Sequence, residues 1–123
     1  MTRPWLIHVV DDDAPVRTSL IFALNAAGFR VASYVDASDF LALEKDEQSL
    51  LICDVRMPGI NGIELTRLLK QRGSTMPVIL MTGNASHALQ AEAMSAGATA
   101  VIEKPAALGA LLAEIARVTA DWR

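Results

Sequence analysis

The stretch from Leu50 to Gly62 reads L-L-I-C-D-V-R-M-P-G-I-N-G. It opens on an uninterrupted apolar run, which is typical of a strand that is buried on both faces in a parallel sheet. The run ends at Asp54, and the Pro, Gly and Asn residues that follow predict a loop. A helix is then predicted from about Ile63 to Gln71, closed by Gly73. This order of strand, loop and helix predicts an α/β fold.

The same alternation of short apolar runs and segments with helical periodicity continues along the rest of the chain. Further strands are predicted at 6–10, 31–35, 77–81 and 100–103, and further helices at about 16–27, 37–43, 86–96 and 107–118. Asp36 and Pro15 fit the first positions of two of these helices. Five strands that alternate with five helices predict one doubly wound parallel sheet, with helices on both faces. We expect a single domain over residues 1–123.

Composition places limits on the classes of function. The chain has 123 residues, of which 52% are hydrophobic and 20% are charged, as in an ordinary globular protein. Its formal net charge of −3 gives no basic face, so we expect no direct binding to nucleic acid. No apolar run is long enough for a signal peptide or a membrane span, and the single cysteine cannot form an internal disulfide. Both observations favour a cytoplasmic protein that does not enter the membrane.

Polar side chains follow four of the predicted strands at the point where each strand ends. The functional crevice of a doubly wound sheet lies outside the carboxyl ends of its strands, near the topological switch point. Helix capping and turn formation would explain each of these residues separately. Their joint placement at one edge instead predicts a functional site. The residues are Asp11, Asp12 and Asp13 after the first strand, Asp54 after the third, Thr82 after the fourth and Lys104 after the fifth.

The chemistry of these side chains is that of phosphoryl groups and hard cations. Carboxylates crowded at a partly buried edge repel one another unless a cation neutralises them. Oxygen ligands favour Mg²⁺, and the absence of paired histidines nearby disfavours zinc. Lys104 and Thr82 suit the oxygens of a phosphoryl group. Asp54, at the centre of the edge, is the candidate nucleophile because a carboxylate can accept a phosphoryl group as an acyl phosphate.

Four motifs together make a family resemblance specific. They are V-D-D at 10–12, C-D-V-R-M-P-G-I-N-G at 53–62, M-T-G at 81–83 and E-K-P at 103–105. Over essentially its full length the chain resembles the receiver domain of bacterial two-component response regulators. The runs D-D-D-A-P-V-R and D-V-R-M-P are most similar to the FixJ-like branch, whose members often carry a C-terminal DNA-binding domain. The resemblance implies the flavodoxin-like, CheY-like fold with strand order 2-1-3-4-5.

The resemblance also implies roles for the residues at the strand ends. Asp54 would take a phosphoryl group from a sensor histidine kinase, a phosphotransfer protein or a small phosphodonor. Mg²⁺ would be held by Asp11, Asp12, Asp54 and the backbone carbonyl of Arg56. Lys104 would pair with the phosphoryl oxygens, while Thr82 would turn inward to donate a hydrogen bond to them.

Three further positions complete what the resemblance implies for the site. Asp13 is expected to cap a helix rather than bind the metal. The side chains of Arg56 and Asn84 stand where the family modulates the lifetime of the acyl phosphate. Hydrolysis requires a water aligned behind phosphorus, and neighbouring side chains admit or block that water.

The chain departs from the family pattern at two positions. Val101 and Ala106 stand where the family usually has aromatic residues, and a β-branched valine has a stiff side chain with little area to hide or expose. Phosphorylation is therefore expected to be read out in an altered way. We hypothesise that it changes homodimerisation or partner binding through the face formed by the fourth helix, fifth strand and fifth helix. That region carries several small residues, although helix propensity alone also explains them: Ala98, Ala100, Ala106, Ala107 and Ala110.

Two other classes of function remain open from the residues. An aspartate-based phosphohydrolase also uses an Asp at a strand end with Mg²⁺, Thr and Lys. Such enzymes place a second acid two residues after the nucleophile, where this chain has Arg56, so sustained turnover is disfavoured. A receiver-shaped interaction module that never takes phosphate is the other alternative, and the presence of all the reactive side chains argues against it. We expect no enzymatic activity beyond self-phosphorylation and dephosphorylation.

Overall fold

The computed structural model describes residues 5–43, 48–104 and 108–120. Strands and helices alternate along these residues. They are β1 (Leu6–Val10), α1 (Ala14–Ala26), β2 (Arg30–Tyr34), α2 (Ala37–Leu41), β3 (Ser49–Asp54), α3 (Gly62–Gln71), β4 (Val78–Thr82), α4 (His87–Ala96), β5 (Ala100–Glu103) and α5 (Leu108–Ala120). The strands form one parallel sheet in the order β2-β1-β3-β4-β5. The predicted fold and strand order are confirmed.

Two strands are displaced by one residue from their predicted bounds. The strand predicted at 31–35 is β2, which begins at Arg30 because its register pairs Arg30 with Leu6 and leaves Val35 beyond the sheet, 51% exposed. The strand predicted at 77–81 is β4, which begins at Val78 because Pro77 has no N–H to donate to the ladder. Register with β1 therefore sets the bounds of β2, whereas the missing N–H of Pro77 sets the start of β4.

Apolar side chains cover both faces of the sheet. Helices α1 and α5 pack on one face, where Leu24, Leu111 and Ile115 are fully buried. Helices α2, α3 and α4 pack on the other, where Phe40 and Leu65 are fully buried. Burial on both faces explains why β3 and β4 read as continuous apolar runs.

Side-chain caps fix where the helices begin. The Asp13 carboxylate accepts a hydrogen bond from the Val16 N–H at 3.3 Å, which confirms the expected cap of α1. The Asp36 carboxylate caps α2 through the Asp39 N–H at 2.9 Å. Such caps satisfy backbone donors that have no partner within the helix. They also hold the loops that leave the carboxyl ends of the strands.

The small residues of the region from α4 to α5 do not form one exposed surface. Ala98 is 5% exposed and belongs to the core on the α3 side, so its interpretation as part of a docking surface is wrong. Ala110 is exposed and Ala100 is partly buried, whereas Ala106 and Ala107 lie outside the described residues.

Among the described residues, no helix has the length and apolar character needed to cross a membrane.

Candidate functional site

The site lies at the topological switch point of the sheet, between β1 and β3. Strands β1 and β3 are neighbours, but the chain passes from β1 to β2 on one side and from β3 to β4 on the other. The loops that leave their carboxyl ends therefore diverge and open a crevice between them. Asp11 directly follows β1, and Asp54 is the last residue of β3.

Three carboxylates converge in this crevice. Asp11, Asp12 and Asp54 each offer one oxygen, and these atoms all lie within 4.8 Å of one another. Asp11 is 2% exposed, Asp54 is partly buried and Asp12 is exposed. Burial raises the pKa of the Asp11 carboxyl above its usual value, against the opposing effects of the Asp13 N–H and the Lys104 ammonium. An all-oxygen cluster of this size suits a hard divalent cation.

Lys104 provides the positive charge beside the carboxylates. Its Nζ lies 3.1 Å from Oδ2 of Asp54 and 3.5 Å from Oδ2 of Asp11. Burial lowers the pKa of the Lys104 ammonium, but the hydrogen bond to Asp54 and the charges of both acids outweigh this effect and leave the pKa raised. Lys104 is therefore held as a cation over the Asp54 carboxylate. Its backbone N–H donates to the Thr82 carbonyl at 2.6 Å, which ties β5 to β4 at the site.

Thr82 is fully buried at the end of β4, and its hydroxyl faces the loop that follows. Its Oγ1 accepts a hydrogen bond from the Asn84 N–H at 3.2 Å and lies 3.4 Å from the Asn84 carbonyl. The Glu103 carboxylate accepts a hydrogen bond from the Ala85 N–H at 3.0 Å. The loop from β4 to α4 is thus held at both ends, and turning the Thr82 hydroxyl toward Asp54 would break its contacts with Asn84.

The remaining positions singled out in the sequence surround this cluster. The Arg56 N–H donates to Oδ1 of Asp54 at 3.4 Å, and the Arg56 side chain is exposed. The Asn84 side chain is exposed at the loop after β4. Val101, in the middle of β5, is partly buried and packs against the core on the α3 side. Asp13 points to its own helix as a cap and lies outside the carboxylate cluster.

Arg17 is a site residue that the sequence reasoning missed. Its Nη1 donates to the backbone carbonyl of Asp11 at 2.6 Å, and the side chain is partly buried. The Asp13 N–H donates to Oδ1 of the same Asp11 at 2.9 Å. Both the backbone and the carboxylate of Asp11 are therefore fixed. The available signal was the spacing of Arg17 on α1, which brings its side chain back toward the helix start.

The fold and the acidic crevice together define a receiver domain, and the sequence comparison agrees. The family model described as the response regulator receiver domain matches residues 7–116. The chain therefore belongs to the response regulator receiver family, the signalling modules of two-component systems.

The most informative relatives are transcriptional regulatory proteins named FixJ. The chain is 45% identical to FixJ of Bradyrhizobium diazoefficiens over 106 residues, covering 85% of this chain and 52% of that protein. It is 42% identical to FixJ of Rhizobium meliloti over 102 residues, covering 82% of this chain and 50% of that protein. The chain thus spans about half the length of these relatives.

Solved structures agree with the sequence relatives. The crystal structure of FixJ-N matches with a TM-score of 0.87 and 35% identity, covering 99% of this chain and 98% of that chain. The structure of full-length FixJ from B. japonicum matches with a TM-score of 0.79 and 42% identity, covering 89% of this chain and 55% of that chain. The resemblance to the FixJ-like branch is confirmed.

Proposed function

We propose that this receiver domain is phosphorylated on Asp54 and that a sensor histidine kinase or a phosphotransfer protein is the donor. The observation that carries the proposal is the Lys104 ammonium at 3.1 Å from the Asp54 carboxylate, within a cluster of three acids at the switch point of the sheet. An isolated structural ion pair would not require two further carboxylates beside it, because their mutual repulsion is costly.

In the proposed reaction, an oxygen of Asp54 attacks phosphorus while the bond from phosphorus to the donor nitrogen breaks. Lys104 stabilises the charge that develops on the phosphoryl oxygens, since a fixed cation in a partly buried site costs no reorganisation. Thr82 exchanges its contacts with Asn84 for a hydrogen bond to a phosphoryl oxygen. The product is an acyl phosphate, and the protein catalyses no further turnover.

The residues of the crevice fit Mg²⁺. Its ligands would be Asp11, Asp12, Asp54 and the backbone carbonyl of Arg56, all oxygen donors of the kind that this ion prefers. When bound, the ion would neutralise charge on the carboxylates and on the transferred phosphoryl group. The deep burial of Asp11 supports this assignment, because Lys104 offers one positive charge to three carboxylates and a buried carboxylate is costly unless its charge is neutralised.

Arg56 and Asn84 are the residues that we propose set the lifetime of the acyl phosphate. Both side chains are exposed at the rim of the crevice, two residues beyond Asp54 and Thr82 respectively. A side chain in this place can block or orient the attacking water. We propose no role for them in accepting the phosphoryl group.

The output of the domain is also a proposal. The aligned part of this chain covers about half of each of these relatives, which are named transcriptional regulatory proteins. We infer that residues 1–123 form one domain, which works in the cytoplasm. We also infer that a C-terminal DNA-binding domain follows it in a longer chain and that this domain itself does not bind DNA.

We propose that phosphorylation changes homodimerisation or partner binding on the face of α4, β5 and α5, where Val101 replaces the usual aromatic switch. Equal sedimentation and equal partner affinity with and without a phosphoryl mimic would contradict this output.

A receiver fold that acts without phosphorylation is the main competing function. Intact-protein mass spectrometry after incubation with a small phosphodonor separates the two functions. We expect one Mg²⁺-dependent phosphoryl adduct on the parent protein and none on Asp54→Asn. Asp39→Asn, which changes an exposed acid of α2, is the matched control and should keep the adduct. Absence of an adduct on the parent protein would contradict the proposal, whereas continued release of inorganic phosphate from phosphomonoesters would indicate a phosphohydrolase.

A further inference from the structure

The start of α3 touches the backbone of the strand that carries Asp54. After Asp54 the chain forms the loop 55–61 and then returns, so that the Gly62 N–H donates to the Val55 carbonyl at 2.9 Å. Gly62 is buried, and the fully buried Thr66 donates its hydroxyl to the Gly62 carbonyl at 2.8 Å. The first turn of α3 is therefore attached to the end of β3.

Gly62 leaves no room for a side chain at this contact. A Cβ at this position would lie 2.5 Å from the Asp54 carbonyl oxygen, 3.0 Å from the Val55 Cα and 3.0 Å from Cδ2 of Leu80. The two backbone atoms cannot move aside as the end of a flexible side chain can. An added methyl group must therefore displace α3, the end of β3 or both.

The requirement for glycine here comes from this contact rather than from backbone conformation. Gly62 has no positive φ, whereas Gly59 in the preceding loop has a φ of 77° and no atom within 4 Å of an added Cβ. Gly109 in α5 has neither a positive φ nor any atom within 4 Å of an added Cβ. It therefore serves as the matched control for the loss of a helical glycine.

We propose that Gly62 is a positioning residue for the phosphoacceptor, which it serves by letting α3 seat directly against the Asp54 carbonyl. This inference rests on the proposed phosphorylation of Asp54. The carbonyl sits between this contact and the Cys53 thiol, which donates to it at 3.3 Å. Displacing it moves the Asp54 carboxylate relative to Lys104 and the other acids. Phosphoryl transfer is sensitive to such movement, because a shift of about 1 Å can cost about 100-fold in rate.

The test compares Gly62→Ala with the parent protein and with Gly109→Ala. We expect Gly62→Ala to accept a phosphoryl group from a small phosphodonor about tenfold more slowly per folded molecule, and Gly109→Ala to match the parent. The folded fraction is measured by circular dichroism under the same conditions. An unchanged rate per folded molecule in Gly62→Ala would overturn the inference.

A second readout does not depend on phosphorylation or on metal. In metal-free amide NMR spectra, we expect Gly62→Ala to shift the resonances of Asp54, Val55 and Arg56, and Gly109→Ala to leave them in place. If the parent protein forms no adduct, the proposed function fails, and these spectra still decide whether Gly62 fixes the backbone of Asp54. Unchanged resonances would overturn the inference by themselves.

Two more variants separate the Asp54 contact from general packing. Leu80→Val removes the side-chain atoms nearest to the added methyl, so a double variant Gly62→Ala/Leu80→Val keeps only the clash with backbone. We expect the double variant to remain slower than Leu80→Val, and recovery to the rate of Leu80→Val would overturn the inference. Thr66→Val keeps the buried volume while removing the hydroxyl bond to Gly62, so a milder loss in the same direction is expected even if Gly62→Ala does not fold.

Discussion

The burial of the Asp11 carboxylate lowers the stability of the folded protein at neutral pH. Its carboxylate is 2% exposed, and burial raises its pKa above the ordinary value of 3.8. The protonated form of the Asp11 carboxyl is thus favoured more strongly in the folded state than in the unfolded state. The resulting stabilisation is complete below pH 3.8 and is lost as the pH rises through the raised pKa. At neutral pH the ionised carboxylate therefore lowers the free energy of unfolding.

Asp11→Asn should stabilise the metal-free protein at pH 7. Asparagine fills nearly the same space without a buried charge, and Lys104 keeps its closer partner Asp54. We expect a gain of about 1 kcal/mol in the free energy of unfolding, typical of a stabilising single substitution. The gain should shrink as the pH falls, because Asp11 of the parent protein then becomes protonated.

Urea unfolding at a series of pH values measures the effect of Asp11→Asn. Asp39→Asn is the control, because that acid is exposed at the start of α2. A gain that stays constant between pH 7 and low pH would show that the burial of charge at Asp11 is not its cause.

Helix α3 links local sequence to the position of the site. Its N-terminus carries a capping box, in which the Asn61 side chain accepts from the Glu64 N–H at 2.9 Å and the Glu64 carboxylate accepts from the Asn61 N–H at 3.0 Å. The cap residue Asn61 directly precedes Gly62, at the point where the helix meets β3. Two adjacent residues therefore act here: Asn61 caps the helix, and Gly62 allows the helix to contact the Asp54 carbonyl.

Asn61→Ala should lower the free energy of unfolding by about 1 kcal/mol, because one backbone donor of α3 loses its side-chain partner. Thermal or urea unfolding measures the loss. Asn25→Ala is the control, because Asn25 is an exposed residue inside α1, where alanine is the better helix former. Equal stability of Asn61→Ala and the parent protein would contradict a structural role for the box.

The elements and their order could be predicted from the sequence because apolar periodicity and caps are local signals. The bounds of β2 differ from the prediction by one residue because they depend on its pairing with β1, and β4 begins one residue later than predicted because Pro77 has no N–H for the ladder. The polar residues of the crevice were found because the ends of parallel strands meet at one edge. The bond from Arg17 to the Asp11 carbonyl and the contact at Gly62 were not found, because both depend on distances between backbone segments.

At the scale of the whole molecule, the acidic crevice couples ligand binding to folding. The three carboxylates come together only in the folded sheet, because Asp11 and Asp12 follow β1 while Asp54 ends β3. An ion that binds this cluster and not the unfolded chain stabilises the fold by mass action. The stability of the protein is therefore expected to depend on the concentration of Mg²⁺.

Mg²⁺ should raise the midpoint temperature of thermal unfolding. When its concentration reaches about 100 times its dissociation constant, the free energy of unfolding should rise by about 2.7 kcal/mol. Asp54→Asn should reduce the shift, and Asp39→Asn should keep it. A chelator should reverse the effect in the parent protein. The same shift in Asp54→Asn as in the parent would place the ion elsewhere on the protein.

The chain's single cysteine gives the protein an internal reporter of its own opening. Cys53 is fully buried in the central strand next to Asp54, and burial raises the pKa of its thiol. Reagents that modify thiolates can therefore react with Cys53 only after the central part of the sheet has opened. The rate at which such reagents label the native protein measures how often β3 is exposed by opening of the sheet, and no probe has to be introduced. Thiol labelling of Cys53 therefore reports on the opening of the core at a position one residue from Asp54.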